Sequence, residues 1–165
     1  MNEIYKRRGI RKYTEQSVVQ EKITAILKAA MASPSACNQQ PWEFYVVRDR
    51  EVIEKLSKVS PFSKFLTGAP VVIVTAYRQD GKVPQFAQID LAICMENIWL
   101  ETCAQGLGGC WIGIAPIEQM MERLEEVIEF PEGQRAFAMF PMGYPAESGR
   151  ERNDFDESRI HYLSS

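Results

Sequence analysis

The order of elements in this sequence predicts an α+β fold, three layers deep, with helices on both faces of one sheet. Three observations carry that expectation. Strand-like apolar runs at residues 42–47, 70–76, 110–114 and 135–140 alternate with segments of helical periodicity. No internal repeat, low-complexity tract or linker divides residues 1–165, so a single domain is expected. Apolar residues make up 45% of the chain and charged residues 25%, an ordinary soluble globular composition.

Along the chain, Ser17 and Gln20 are spaced as a capping box, each side chain answering an orphan backbone donor of the other. Ile23, Ile26, Leu27, Ala30 and Met31 then recur at helical spacing, and the helix should stop before Pro34. Residues 42–47 (WEFYVV) read as a strand ending at Arg48-Asp49, followed by a short helix over 51–59. Residues 70–76 (PVVIVTA) form an almost continuous β-branched run, expected as a central strand buried on both faces. Residues 79–84 are polar, contain Gly81 and read as a loop.

The helix expected over 86–105 carries Ile89, Leu91, Ile93, Met95, Ile98, Trp99, Leu100 and Cys103 around most of its circumference. A helix apolar nearly all round must be covered on all sides. One domain of this size can enclose it, and a subunit interface does so more easily, so dimerisation through or near this helix is expected. Glycines at 106, 108 and 109 end it. A strand over 110–114, an amphipathic helix over 117–129 closed by Pro131-Glu132-Gly133, a strand over 135–140, a turn over 141–145 and a polar, charged tail complete the chain.

The charge balance narrows the function. Net charge is −3 and the isoelectric point about 5.3, so no global positive field draws in nucleic acid or an anionic membrane. A local basic cluster can still hold a phosphate. There is no run of about 18 apolar residues to span a bilayer. The charged N-terminus lacks the apolar core of a secretion signal, and a cytoplasmic setting is expected. Cys37, Cys94, Cys103 and Cys110 form no C-x-x-C pair and His161 is the single histidine, which argues against a zinc centre and leaves reduced thiols as the expectation. That histidine, near the end of the chain, makes Ser-His-Asp chemistry a poor reading. Carboxylate pairs such as Glu125-Glu126 fit a solvated helix face.

Four constellations remain. Arg7, Arg8, Arg11 and Lys12 place four cations within six residues around Gly9. Guanidinium forks match phosphate oxygens, although short basic runs are often only surface. Residues 33–42 (SPSACNQQPW) supply uncharged donors and acceptors suited to a heteroaromatic ring edge, or a turn that satisfies only itself. Residues 106–109 follow a helix and precede a strand, the reverse of a dinucleotide-binding fingerprint. Gly143-Tyr144-Pro145 precedes Arg150 and Arg152, which on extended chain face the same way. A chain with such contact sets and no evident acid/base machinery points to a bound cofactor that carries the chemistry.

In this order, RRGIRKY at 7–13, ASPSACNQQPW at 32–42, GAPVVIV at 68–74, GLGGCWIG at 106–113 and PMGYPAE at 141–147 resemble the nitroreductase family of FMN-dependent oxidoreductases. The resemblance implies a three-layer nitroreductase-like fold in an intertwined homodimer. It also implies two tightly bound, non-covalent FMN groups at the interface, with NAD(P)H as transient co-substrate. By the same resemblance, Arg7, Arg8 and Arg11 hold the FMN phosphate and reach the ring's pyrimidine edge. Gly9 stands where many members have serine. Pro34, Ser35, Asn38 and Gln40 reach FMN from the partner subunit, and Lys64 lies near the flavin N1/O2 edge, where a cation stabilises anionic reduced flavin. Gly143 and Tyr144 pass near the flavin, and Arg150 and Arg152 complete the phosphate clamp.

The implied reaction is ping-pong hydride transfer from NAD(P)H to a nitroaromatic, a quinone or a similar electrophilic acceptor, with Phe86 on the acceptor side. The rival readings are a flavin-binding store or sensor with negligible turnover, a flavoenzyme of other chemistry such as reductive dehalogenation, and a non-flavin interaction domain. Cys37, inside the flavin loop, is expected to fill a turn rather than to react.

Overall fold

The structure is a computed structural model that describes residues 3–149 and 154–163. Arg150 and Arg152 lie outside the described residues. After a single turn, α1 (Glu3–Lys6), the chain runs extended to α2 (Gln20–Met31). The expected capping box does not form. The N-cap is Val19, in extended conformation and without a side-chain cap. The cause is tertiary. Val18 is drawn into the core, and its carbonyl accepts from Arg48 Nη2 at 3.0 Å, which keeps Ser17 away from the cap position. α2 then buries Ile23, Ile26 and Ala30 and ends short of Pro34, as its periodicity predicts.

β1 (Trp42–Val47) has the expected bounds. The turn after it is fixed by Asp49, whose carboxylate accepts from Glu51 N at 2.8 Å and Val52 N at 3.0 Å and so starts α3 (Arg50–Leu56). β2 (Val71–Arg78) is buried at every position through Tyr77. Side chains alternate across a strand, so this burial means that both faces of the sheet are covered. α2 and α4 (Ala87–Ala104) cover one face. Thr75 Oγ1 lies 3.6 Å from Met95 Sδ on that side. α3 and α5 (Glu118–Ile128) pack together as the other layer, with α5 on β5 (Gln134–Gly143).

The sheet order is β1-β2-β5-β3, with β4 also on β5, and these pairings are all antiparallel. Two expectations are corrected here. The strand expected over 110–114 is two short ones, β3 (Gly108–Gly109) and β4 (Ile112–Gly113), separated where Cys110 and Trp111 leave the ladder. The turn expected over 141–145 is largely strand, because β5 continues through Gly143. Pro141 is tolerated there because its carbonyl, and therefore its missing N–H, faces the gap between β3 and β4, where Cys110 N donates to it at 3.2 Å.

α4 buries Leu91, Cys94, Met95, Ile98 and Thr102 against the sheet and α2. Fully burying side chains of the Leu, Ile or Met kind stabilises by about 1.5–3 kcal/mol each. Its outward side is left open by the described residues: Ile89 is 56% and Ile93 39% exposed. Asp90 and Trp99 leave α4 on opposite flanks of its sheet-facing stripe, since nine residues make about two and a half turns.

Candidate functional site

The basic segment is held against the glycine pair of β3. Gly9 bridges Gly109 in parallel, and Ile10 N donates to Gly109 O at 3.0 Å. This approach requires glycine. A Cβ on Gly108 would stand 2.6 Å from the Ile10 side chain, and one on Gly109 would stand 2.4 Å from the Phe140 ring. Tyr13 locks the far end, its hydroxyl donating to Ile10 O at 2.6 Å and approaching Pro141 O at 3.1 Å. Burial pushes that hydroxyl well above the usual tyrosine range, so it stays protonated and remains a donor.

α4 orders the arginines. The Arg7 guanidinium lies 4.2 Å over the Trp99 ring, with Nε 3.0 Å from Glu96 Oε1. The Trp99 indole N–H donates to Arg8 O at 3.1 Å, and the ring packs edge-on against Phe140. Arg8 Nη1 donates to Tyr5 O at 2.9 Å and also to Arg7 O. The backbone N–H groups of Arg11 and Lys12 converge on Glu147 Oε1 at 2.6 and 3.2 Å. The Arg11 guanidinium sits 5.8 Å from the Phe65 ring centroid. Two clefts adjoin these groups. One, of about 260 Å³, is lined by Lys6, Arg7, Arg8, Trp99, the 106–109 segment and Gly149. The other, of about 240 Å³, is lined by Arg7, Arg8, Gly9, Arg11, Trp99, Cys110 and Trp111. A third, of about 370 Å³, shares Arg11 and is otherwise walled by Phe62, Phe65, Cys110, Trp111, Ile112 and Gly113.

The polar loop is built differently. Cys37, Asn38 and Gln40 have φ of 50°, 52° and 45°, the left-handed region that costs an L-residue about 1–2 kcal/mol. Four hydrogen bonds hold them there. Ala36 N donates to Asp90 Oδ1 at 2.9 Å, and Gln39 Nε2 donates to Asp90 Oδ2 at 2.6 Å. Gln40 N donates to Ser35 Oγ at 3.0 Å, and Arg78 Nη2 donates to Gln40 O at 2.9 Å. Pro34, Asn38 and Gln40 stay exposed.

The structure therefore gathers Arg7, Arg8, Gly9 and Arg11 at one place and Pro34, Ser35, Asn38 and Gln40 at another. Within one chain the two sets do not meet. Their anchors on α4, Trp99 and Asp90, are separated by about 13 Å of helix rise and lie on opposite flanks. Lys64 is exposed, next in sequence to the Phe65 that underlies Arg11. Gly143 is buried in β5, where a Cβ would stand 2.7 Å from the Pro70 ring, so its lack of a side chain serves packing. Phe86 is 43% exposed at the start of α4.

Glu96, Trp99, Glu147 and Asp90 were missed by sequence reasoning as site residues, and Gln39 was counted only within the polar run at 33–42. Asp90 carried a signal, being the sole acidic residue in the apolar stretch 87–95. Cys37 is exposed, whereas burial pushes the Cys94 thiol up to about 12 and raises Cys103 and Cys110.

A sequence profile of the nitroreductase family matches residues 4–61 and 59–144. The chain belongs to the nitroreductase family. A relative from Methanothermobacter thermautotrophicus, which carries the provisional name NADH dehydrogenase/NAD(P)H nitroreductase, is 41% identical over 156 residues, covering 94% of this chain and 82% of the relative. A solved structure from Clostridium acetobutylicum, provisionally named an NADH oxidase, shares 39% identity with a TM-score of 0.95 over 99% of both chains. The FMN-dependent nitroreductase of Clostridium difficile superposes with a TM-score of 0.91 at 29% identity, again over 99% of each chain. These likenesses bear out the α+β nitroreductase fold. Among the described residues no helix is long and apolar enough to cross a membrane, and no group of three or more metal-ligating side chains forms.

Proposed function

We propose that this nitroreductase-family protein is an FMN-dependent NAD(P)H oxidoreductase whose complete site forms between two copies of the chain. The observation that carries the reading is a pair of clefts sharing Arg7 and Arg8, one of which adjoins, through Arg11, a cleft walled by Phe62, Phe65 and Trp111. The donor chemistry suits the group. Guanidinium groups match a phosphate dianion, and an aromatic-walled cleft matches a flat ring system. Bound there, FMN supplies two-electron hydride chemistry between NAD(P)H and an electrophilic acceptor such as a nitroaromatic or a quinone.

The protein's part is to bind and orient. Arg7, Arg8 and Arg11 hold the phosphate end, and the Trp99 stack keeps the Arg7 plane fixed. Lys64, near Arg11 through Phe65, offers a cation to negative charge on the ring edge. Asn38 and Gln40 bring uncharged donors and acceptors to the ring, and they do so from the partner subunit. Ile89 and Ile93 on α4, with Met31 and Phe86, supply exposed apolar surface for that second copy. Arg150 and Arg152 are assigned to the same phosphate.

The test is an absorbance spectrum of the purified protein, before and after anaerobic addition of NADH and then NADPH. Oxidised-flavin bands that bleach on addition are expected. Bands that persist would turn the reading to a flavin store, and no bands after reconstitution with FMN would overturn it. Once bleaching is seen, a panel of nitroaromatic, quinone and halophenol acceptors separates nitro or quinone reduction from reductive dehalogenation.

A further inference from the structure

Asp90 is 3% exposed. A buried carboxylate is costly unless its oxygens are answered by donors. Among the described residues both oxygens are answered, and both by the same short loop: Ala36 N at 2.9 Å and Gln39 Nε2 at 2.6 Å. Gln39 in turn clasps the main chain of the neighbouring loop, its Oε1 accepting from Val83 N and its Nε2 donating to Val83 O, each at 3.1 Å. The carboxamide is thus held on three sides and packed against Gly81, where a Cβ would stand 2.4 Å from Gln39 Oε1.

Between and beside these anchors lie Cys37, Asn38 and Gln40, each in the left-handed region without being glycine. Such backbone persists only where its surroundings over-determine it. We infer that Asp90 and Gln39 are a positioning pair, which acts through the loop to present Asn38 and Gln40 to the ring of the cofactor. The inference rests on the cofactor reading above and adds residues that touch neither phosphate nor ring. Asp90 stands in the first turn of α4, where the helix dipole also favours its charge.

The geometry fixes the test. Asp90→Asn turns one acceptor into a donor facing Gln39 Nε2, and Gln39→Glu sets two carboxylates against each other. Each single change should weaken FMN binding about tenfold, the effect of one broken charged hydrogen bond. Together, Asp90→Asn and Gln39→Glu restore the donor–acceptor match between residues 90 and 39, though not the bond to Val83 O, and should bind FMN more tightly than Gln39→Glu alone. A merely structural role would move the melting temperature and leave the FMN affinity and flavin dichroism of the folded variants unchanged. Gly81→Ala displaces the Gln39 carboxamide from the other side, leaves Asp90 intact and should also weaken FMN binding. It keeps the test alive if the Asp90 variants do not fold.

The measurement is the quenching of flavin fluorescence on titration of FMN into apoprotein, with visible circular dichroism of the bound flavin and the melting temperature recorded for each variant. Wild-type protein that fails to bind FMN overturns the cofactor reading itself. Wild-type binding with unchanged affinity and dichroism in folded Gln39→Glu and Gly81→Ala overturns the positioning role alone. A double variant no better than the worse single one overturns it too.

Discussion

The basic segment at 7–12 and the polar loop at 34–40 are held by opposite means. The basic segment rests on side chains from distant elements. Trp99 and Glu96 come from α4 and Glu147 from beyond β5, with the glycines of β3 closing beneath. Arg7 there already has a carboxylate partner in Glu96, and Arg8 donates to the carbonyls of Tyr5 and Arg7. The loop at 34–40 leaves Asn38 and Gln40 exposed and carries strain in its backbone, clamped through Gln39 and Ala36 by one buried carboxylate. The contrast matches what each is assigned to recognise. A phosphate is met by charge, which must be kept from self-repulsion before the ligand arrives. A ring edge is met by directional hydrogen bonds, which need a fixed frame.

The largest way to break this contrast is Trp99→Ala. It removes the platform under Arg7, the donor to Arg8 O and the contact with Phe140, and should cost about 3 kcal/mol of stability by chemical denaturation. FMN retention should fall with it. Next is Arg8→Ala, which removes one charged donor from both arginine clefts. FMN should bind about ten- to a hundredfold more weakly after dialysis, with the melting temperature within about 2 °C of wild type. Affinity at this end should also fall as salt rises, because exposed charge is screened. The weakening caused by Gly81→Ala should not change with salt.

Gln40→Gly sharpens the other side of the contrast. Glycine adopts the left-handed backbone without strain, so stability should rise by about 0.5 kcal/mol while FMN binding weakens. A variant that gains stability and keeps full affinity would show that the strain serves no recognition. The smallest effect is expected from Glu96→Gln. The Arg7–Glu96 pair is partly exposed and of the order of 0.5 kcal/mol. Releasing Arg7 from it should tighten FMN binding two- to threefold at low salt.

The same contrast explains what could be read from the sequence. β1 and the burial of β2 were legible because their β-branched and aromatic runs carry the pattern in the residues themselves. The basic segment was legible as a phosphate-type site for the same reason. Strand direction was not, since helices between strands suit parallel and antiparallel sheets alike. The Ser17 capping box failed because a long-range bond from Arg48 to Val18 overrides a local cap. Trp99 counted only as one more apolar residue of α4, and its indole N–H acquires a role only when the N-terminal segment folds onto it. The strain at Cys37, Asn38 and Gln40 was hidden because the sequence places no glycine there to announce it.

α4 also acts as a ruler. Asp90 and Trp99 serve different ends of the molecule from a single rigid rod, so their spacing is set by residue count. One residue added between them would swing one flank by about 100° and shift it by about 1.5 Å, which would misalign either the loop or the arginines whatever the inserted side chain. Length variation should therefore be tolerated beyond α5 at 129–133, away from both anchors, and excluded from 90–99. A library of single-residue insertions scored for flavin content would map that forbidden window directly.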